Sequence, residues 1–402
     1  MATFTIPAVL PLLHQSQHVA FSEWISLFTL LLAPIIAHII AGVPQPTYPP
    51  SFTPPKWHDY IALYSPITII WRYAAITDRR IRARRSARWG PEDVASANAI
   101  FWTSEGWDGA EGFLHATYTG SSSKHEYLVH CARLPPSGHA TLLSVDTVKT
   151  AIVTLQGLQA VYLLVGGLVG TVGMPWMAVD TVSFPLAFLG LTRLCAAGWI
   201  TSDYEFQVEV GGVARGKGVG CEEGVGKTSA LGGNRHCVVV EVDGMPVVMR
   251  GSGGGGGGAV DGEALSSLRF LVTSWPSRIF RGVYIAPIVV FWLLSLGFAL
   301  PGPWQSGRAY PLTNYLSAVN GSLSFLFILV VYGYYTARVG CRSTVIPCIG
   351  KPWYKVIMCV GYTTMLCIVV ISALETRRAP CGLYTTTGKE VDHYVCAPFV
   401  SP

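Results

Sequence analysis

Charged residues are scarce in this chain of 402 residues: Asp, Glu, Lys and Arg make up 13% of it. A typical soluble domain contains about 25%. Half of the residues are hydrophobic, and the first Lys or Arg is Lys56, so the basic start of a secretory signal peptide is missing. The composition argues against an ordinary soluble protein and predicts that the first apolar stretch is retained in a membrane.

Short motifs that mark enzymes or metal sites are also missing. The chain has no Gly-x-Ser-x-Gly, no His-Glu-x-x-His and no CxxC pair among its ten cysteines. The stretch Gly224–Thr228 resembles a phosphate-binding loop, but Cys221 stands where the motif needs its first glycine, which favours a low-complexity linker. We therefore assign no catalytic, cofactor-binding or metal-binding residue, although side chains from different helices could still assemble such a site. The net charge of +5 comes without a nucleic-acid-binding motif, so no nucleic-acid partner is expected.

What the chain does contain is long apolar stretches. A helix of about 20 residues crosses the ~30 Å hydrocarbon core, and in lipid only a helix satisfies its own backbone hydrogen bonds. Six stretches have that length: Phe21–Val43, Ala151–Gly173, Pro175–Ile200, Tyr284–Leu300, Leu316–Thr336 and Tyr354–Leu374. The sequence predicts an all-α transmembrane helical bundle of about six spans.

The basic residues set an orientation for these spans. Most of the 28 Lys and Arg residues fall in three connecting segments, 44–150, 201–283 and 337–353. Because basic loops stay in the cytoplasm, these segments are predicted inside and both termini outside. The resulting organisation has six parts: 1–43, external N-terminus and first span; 44–150, cytoplasmic loop; 151–200, spans two and three; 201–283, cytoplasmic loop; 284–374, spans four to six; 375–402, external tail.

The first cytoplasmic loop carries a basic helix. Pro66 to about Arg88 has apolar residues at helical spacing followed by a cluster of arginines, Arg79–Arg88. This pattern is typical of a helix lying on the membrane surface. The cluster predicts binding of anionic lipid at about 1 kcal/mol per basic residue near the surface. Whether residues 60–76 span the bilayer or lie on it stays open.

The second cytoplasmic loop contains strand-like segments and glycine tracts. Tyr204–Val210 alternates apolar and polar residues, and Cys237–Val242 and Pro246–Arg250 flank an Asp-Gly turn signal. These three segments predict a small antiparallel sheet. The tracts Gly211–Gly233 and Gly251–Gly258 are predicted to be disordered because they have little apolar surface to bury.

Five polar residues lie within predicted spans: His38, Gln156, Gln159, Asp180 and Arg193. Ionisable groups in a bilayer are costly and so are candidates for function. Asp180 and Arg193 are too far apart along one helix to pair, and the favoured structural interpretation is that Arg193 extends to the interface. For His38 and the glutamines the structural alternative is a hydrogen bond to a neighbouring helix. Proline breaks in the third and fourth spans are candidates for a transport pathway, at Pro185 and Pro287.

One loop segment combines tryptophans with acidic residues. Trp102, Glu105, Trp107, Asp108 and Glu111 form its densest polar and aromatic cluster. Paired aromatics in a loop are a candidate for recognition, and an ordinary turn packed near the membrane is an equal alternative.

The external tail contains two cysteines, Cys381 and Cys396. All others are predicted to lie in spans or in the reducing cytoplasm, so a disulfide between these two is expected.

Four segments resemble a group of uncharacterised multi-spanning proteins of filamentous ascomycete fungi. They are Trp57–Tyr60 with Trp71–Arg80, Asn98–Thr103, Gly106–Gly109 and Val148–Gly157. The resemblance covers about residues 20–205 and implies a fungal membrane protein, but it supplies no activity and no site residues.

These observations favour a non-enzymatic multi-pass integral membrane protein of transport or membrane-organising type, in the plasma membrane or an endomembrane. Two alternatives remain: an enzyme embedded in the membrane that acts on lipid, and a receptor or scaffold displaying its cytoplasmic loops. A transporter should have a broken helix with polar residues inside the membrane. An enzyme should have His, Asp and Glu clustered near one interface, and a scaffold should have neither.

Overall fold

The structure, a computed structural model, describes most of the chain. The described residues are 12–48, 53–86, 89–103, 106–109, 117–119, 126–169, 178–211, 236–242, 245–251, 274–299, 311–341 and 343–396. They are mostly helical, with several small sheets.

Five of the helices are long and apolar enough to cross a membrane. They are α1 (Phe21–Gly42), α5 (Val145–Val169), α7 (Trp275–Ala299), α8 (Leu312–Arg338) and α9 (Pro352–Glu375). Each contains one of the predicted spans or most of it. The remaining helices are short or more polar: α2 (Trp57–Leu63), α3 (Pro66–Ser86), α4 (Pro91–Asn98), α6 (Phe184–Gly190) and α10 (Asp392–Val395).

The predicted third span is not one helix, and the prediction of six long helices is wrong at this point. The chain makes a 3₁₀ turn at Val179–Thr181, the seven-residue α6, and a second 3₁₀ stretch at Leu191–Cys195. Pro185 lies in the first turn of α6, where its missing N–H prevents the preceding turn from running on as the same helix. Pro287 has no such effect, since α7 continues through it. We call Val179–Cys195 the broken crossing.

Hydrogen bonds at the helix termini define two ends of the bundle. At one end, which we call the tail end, the backbone N–H of Gln15 donates to Leu374 O at 3.0 Å. At the same end, the backbone N–H of Val179 donates to Thr376 Oγ1 at 3.2 Å. At the opposite end, which we call the cap end, Arg193 contacts Ala41 near the end of α1 and Thr150 near the start of α5. The broken crossing therefore runs from the tail end to the cap end, as a span would, although its helices are short. The start of α1 and the end of α9 lie at the same end, which is the relation the six-span topology requires.

Helix α3 lies across the cap end. It contacts residues near the cap-end termini of the long helices. The hydroxyl of Tyr354 lies 2.7 Å from Ser65 Oγ, beside the start of α3. The carbonyl of Gly42 accepts from Arg72, and Ser277 contacts Asp78. Residues 67–78 are buried on every face of the helix, and they form the centre of the main hydrophobic core. The prediction of a helix lying on the membrane surface is thus corrected: this part of α3 is at the level of the helix ends, but protein encloses it.

The sheets pair differently from the prediction. Strands β6 (His236–Val242) and β7 (Met245–Gly251) form the expected hairpin. Strand β5 (Glu205–Gly211), however, pairs with β4 (Glu126–Arg133), which pairs in turn with β3 (Thr117–Thr119). The sheet therefore joins the two large loops that the sequence predicts to be cytoplasmic, and the three predicted strands do not form one sheet. Two short hairpins complete the strands: β1 (Phe101–Thr103) with β2 (Gly106–Asp108), and β8 (Arg377–Arg378) with β9 (Tyr384–Thr385). The predicted disorder at Gly211–Gly233 and Gly251–Gly258 falls almost wholly outside the described residues.

Candidate functional site

The structure places three of the five predicted intramembrane residues towards the ends of the bundle and the two glutamines in the middle of α5. Arg193 is fully buried at the cap end, and His38 is buried one turn before the end of α1. Asp180 lies at the tail end, in the first turn of the broken crossing. Gln156 is half-buried on α5, and Gln159 on the same helix is exposed. They do not meet in one site, but the broken crossing carries a polar cluster at each of its ends.

Arg193 is the centre of the cap-end cluster. Its Nε donates to Thr150 Oγ1 at 2.7 Å, one terminal nitrogen donates to the carbonyl of Ala41, and the other donates to the carbonyl of Asp146 at 3.2 Å. The Asp146 carboxylate lies 3.7 Å away and the Tyr73 ring 5.7 Å from the guanidinium carbon. The expectation that Arg193 extends to the interface is wrong, because protein groups inside the bundle satisfy it.

Arg72 lies beside Arg193, and it also donates to main-chain carbonyl groups at helix ends. Its guanidinium donates to Gly42 O at 2.7 Å and to Asn98 O at 3.0 Å and Oδ1 at 3.2 Å. Asn98 in turn donates to Trp199 O at 2.7 Å. Asp146 accepts from the backbone and hydroxyl of Ser202 at 2.6 and 2.7 Å. We call Arg72, Asn98, Asp146, Thr150 and Arg193 the arginine cluster.

The charge of the arginine cluster is balanced largely by helix ends. Ala41 and Gly42 carry the last carbonyls of α1, and Asn98 carries the last carbonyl of α4, so the partial negative charge of both helix C-termini faces the guanidinium groups. Burial lowers the pKa of Arg72 from its ordinary value, with Arg193 adding to the effect and Tyr204 opposing it. Arginine still remains charged. The cluster therefore joins α1, α3, α4, α5 and the broken crossing.

The tail-end cluster is built around a buried carboxylate. Glu375 is fully buried and accepts from the backbone N–H of Thr313 at 2.9 Å and of Leu13 at 3.3 Å. A carboxylate is favourable at the N-terminus of α8, where the helix dipole is positive. Together with the bond from Val179 to Thr376, Glu375 joins α8, α9 and the broken crossing.

One turn further into the bundle, each of these three segments presents a serine. Ser183 is on the broken crossing, Ser317 on α8 and Ser372 on α9. Their neighbours Val182, Leu316, Ile368 and Ala373 pack in one cluster. We call the three serines the hydroxyl layer. Within the described part of the chain, none of their hydroxyl groups has a hydrogen-bond partner, and the same holds for Thr313 Oγ1 and Asp180 Oδ1.

Two polar atoms on α1 and α5 are also buried without a partner among the described residues. They are His38 Nε2 and Gln156 Oε1. Helices α1 and α5 both pack against the broken crossing, so buried polar groups accompany this segment along its length.

The tryptophans of the loop cluster face inward. Trp107 is buried and donates from its indole N–H to Asp59 O at 3.1 Å, and Trp102 donates to Thr53 O at 2.8 Å. Their ring centroids are 4.7 Å apart, across the β1–β2 hairpin that ends at Asp108. Glu105 and Glu111 lie outside the described residues. The two tryptophans therefore fasten the hairpin to α2 and its neighbours, which supports the structural alternative over recognition.

The tail closes over the tail end of the bundle. Cys381 and Cys396 form a disulfide with their Cα atoms 5.6 Å apart, as expected from the sequence. Inside the loop that it closes, Thr386 Oγ1 lies 3.2 Å from Asn314 Oδ1, at the start of α8. Arg377 donates to Thr387 O at 2.6 Å and Gly388 O at 2.8 Å.

Sequence reasoning missed most of both clusters. Asp146 and Asn98 fall in the segment that was predicted as a loop, and Tyr73 falls in the expected surface helix, where polar residues are ordinary. The signal that was present is Arg72, a lone arginine inside an apolar helical stretch. The serines gave no signal, because single hydroxyl residues are common in membrane helices and bond to their own backbone.

Comparison with known proteins gives no relative: no protein-family model, no curated protein and no solved structure matches the chain.

Proposed function

We propose that this chain is a multi-pass integral membrane protein that carries a small polar solute across the bilayer, with the broken crossing as the element that controls passage. The observation that carries the proposal is the set of buried polar atoms, along this segment and against its tail end, that have no hydrogen-bond partner among the described residues. They belong to Asp180, Ser183, Thr313, Ser317 and Ser372.

Energetics support a polar occupant at this place. Burying a polar group without a partner costs about 1–3 kcal/mol. Several such groups together, in a bundle that satisfies Arg193 and Glu375 fully with protein groups, are expected to bind water or a solute. Hydroxyl and carboxylate groups favour a hydroxylated neutral solute or a small cation.

The interrupted backbone supports the same proposal. Short helices, 3₁₀ turns and exposed backbone groups within a bilayer are tolerated where they line a polar cavity or are enclosed by protein. In transporters, discontinuous helices of this kind carry the substrate site. The broken crossing carries both charged residues predicted within spans, Asp180 and Arg193.

The two alternatives have less support. An enzyme acting on lipid would need acid, base or metal-binding groups together. Across the residues that the structure describes, no group of three His, Cys, Asp or Glu is placed to hold a metal ion. A role as a scaffold would not explain why the hydroxyl layer is buried without hydrogen-bond partners among the described residues.

Cysteine accessibility tests the proposal. Ser183, Ser317 and Ser372 are changed singly to Cys in the full-length protein in liposomes. The native cysteines other than the buried Cys341 and Cys348 and the disulfide pair are replaced by alanine: Cys131, Cys195, Cys221, Cys237, Cys359 and Cys367. Because a charged methanethiosulfonate reagent reacts only with thiols that water reaches, we expect all three positions to be modified.

The matched control is Ser324→Cys, which lies on the exposed face of α8 and should contact lipid. It should not react. If the hydroxyl layer is as unreactive as position 324, the bundle is closed and dry, and transport by this route is excluded. If the layer reacts, uptake of radiolabelled sugars, polyols and monovalent cations into the same liposomes identifies the solute class, and Ser183→Leu should reduce that uptake at least tenfold.

We also propose that the segment Arg79–Arg88 binds anionic lipid. The guanidinium groups of Arg79 and Arg80 lie 5.8 and 5.7 Å from the Trp89 ring, an arrangement suited to the membrane interface. Arg82 instead turns inward to Asp78 at 3.2 Å. In nanodiscs of mixed lipid, replacing Arg79 and Arg80 by Gln should reduce the enrichment of phosphatidylserine around the protein, whereas Arg133→Gln should not. Equal enrichment in wild type and variant contradicts this proposal.

A further inference from the structure

Gln159 is the polar residue that the fold leaves least explained. It is exposed on α5 and makes no hydrogen bond to any described residue. Along the helix axis, Gln159 is about 14 Å from Thr150, at 1.5 Å per residue. Since Thr150 marks the cap end through its bond from Arg193, Gln159 is near the midplane of a ~30 Å hydrocarbon core.

Two exposed threonines on other long helices do not raise the same problem. Thr29 donates to Ile25 O at 2.7 Å and Thr363 to Cys359 O at 2.9 Å, so each bonds within its own helix. The carboxamide of glutamine has two donor hydrogens and an acceptor oxygen. In lipid these groups need a partner from another helix.

The residues around Gln159 form a seam of the type that packs against a second helix. Val148, Ile152, Leu155, Gln159 and Tyr162 follow one another at alternating intervals of four and three residues, and all are exposed. This is the a/d spacing of a left-handed coiled coil, a common geometry for helix pairs in membranes. A single polar residue in such a seam fixes the register of the pair.

We infer that two copies of this chain associate through the exposed seam of α5, with the two Gln159 side chains hydrogen-bonded to each other. A carboxamide is self-complementary, because the donor of one copy meets the acceptor of the other, which suits the two-fold symmetry of a homodimer. The inference rests on the exposed face of α5 and does not depend on the proposed transport function.

Energy transfer between donor- and acceptor-labelled copies tests it, using the full-length protein in liposomes over a range of protein-to-lipid ratios. Wild type should dimerise above the level expected from crowding. Gln159→Leu keeps the size and removes the amide, and it should raise the dissociation constant about 3- to 30-fold, the range for loss of an interhelical hydrogen bond in a bilayer.

The matched control is Gln156→Leu, which makes the same chemical change on the same helix but on a half-buried face. It should change the dissociation constant less than twofold. A monomeric wild type, or a dimer that responds equally to the two substitutions or to neither, overturns the inference.

Disulfide cross-linking locates the interface independently of the amide. Leu155→Cys or Tyr162→Cys, within the seam, should cross-link two copies on mild oxidation. Leu158→Cys or Val165→Cys, also exposed but on the flank of the same helix, should cross-link at least fivefold less. The native cysteines that could cross-link are first replaced by alanine. They are the exposed or partly exposed Cys131, Cys195, Cys359 and Cys367, together with Cys221 and Cys237, whose side chains the structure does not describe. Cross-linking that is equal at all four positions, or absent from the seam, overturns the inference.

Discussion

The guanidinium group of Arg193 donates to the main-chain carbonyl of Ala41, 152 residues earlier in the chain and at the last turn of α1. A charge within an apolar segment is thus paired with a helix C-terminus and not with water. This contact fixes where the broken crossing meets the cap end, and its neighbours Thr150 and Asp146 extend it to α5.

Arg193→Lys should destabilise the folded protein. A single ammonium group cannot reach Ala41, Thr150 and Asp146 together, so polar groups stay buried without partners at about 1–3 kcal/mol each. Thermal unfolding followed by tryptophan fluorescence in a mild detergent measures the loss. The control is Arg133→Lys, an exposed residue 3.7 Å from Asp203, for which we expect almost no change. Equal unfolding temperatures for both variants would show that the arginine cluster does not hold the bundle.

Gly157→Ala should also destabilise the bundle. A Cβ atom there would lie 2.5 Å from Leu191 Cγ and 2.9 Å from the carbonyl oxygen of Ala187, so α5 and the broken crossing would have to separate. Overpacking of this kind costs about 1–3 kcal/mol. Gly361→Ala on α9 meets nothing within 4 Å, and it should leave stability unchanged or raise it by up to about 1 kcal/mol. The same unfolding assay compares them, and a neutral Gly157→Ala would contradict the close packing.

Reduction of the disulfide between Cys381 and Cys396 should loosen the tail without unfolding the bundle. The bridge closes a segment with a sequence separation of 15. The chain-entropy estimate for such a loop is about 3 kcal/mol. Limited proteolysis after reduction should cut between residues 381 and 396, and Cys381→Ala should be cut without reductant. Resistance of both samples would indicate that packing alone holds the tail.

The thiols of Cys341 and Cys348 should react slowly with maleimide in the folded protein at pH 8. Burial raises the pKa of each to about 12, so almost no thiolate is present. In denaturant both should react fully, and mass spectrometry of the labelled peptides gives the rates.

The same shifts give a pH dependence of stability. The folded protein holds the two thiol protons more tightly than the unfolded chain does, because the thiol pKa of the unfolded chain is near 9.0. Their contribution is therefore complete below pH ~9 and falls between about 9 and 12, by about 1.4 kcal/mol per pH unit for each thiol. A variant with alanine at both positions should lose less stability from pH 8 to pH 10 than wild type does.

Topology gives a further prediction. With six crossings and basic loops in the cytoplasm, tags placed before α1 and after residue 396 should both be external, and a tag between β5 and β6 should be cytoplasmic. Protease protection in intact cells measures each site. Termini on opposite sides would mean that the broken crossing does not cross the bilayer.

The position of the long helices could be predicted closely because hydropathy is a local property. For α1 the prediction of Phe21–Val43 differs from the helix by one residue at its end. The hairpin β6–β7 followed likewise from local alternation and a turn. Helix α3 was predicted as a helix, but its surroundings were not, since an apolar helix with a basic end is compatible with both a membrane surface and a protein interior.

Other features depend on contacts between distant segments. Strand β5 has the alternation of a strand, yet nothing within it indicates that it pairs with β4 and not with β6. Arg193 could be recognised as unusual, but its partners come from α1 and α5, which lie far from it in the sequence.

The sequence by itself determined which segments are apolar enough for a membrane, which loops are basic and which two cysteines form a disulfide. Each of these follows from composition along the chain and from the compartment that it implies. Only the tertiary structure decided that the third crossing is broken, that α3 is enclosed, and that three segments each bury a serine hydroxyl without a partner among the described residues. Those outcomes arise because a buried polar group takes its partner from wherever the fold brings one, at any distance along the chain.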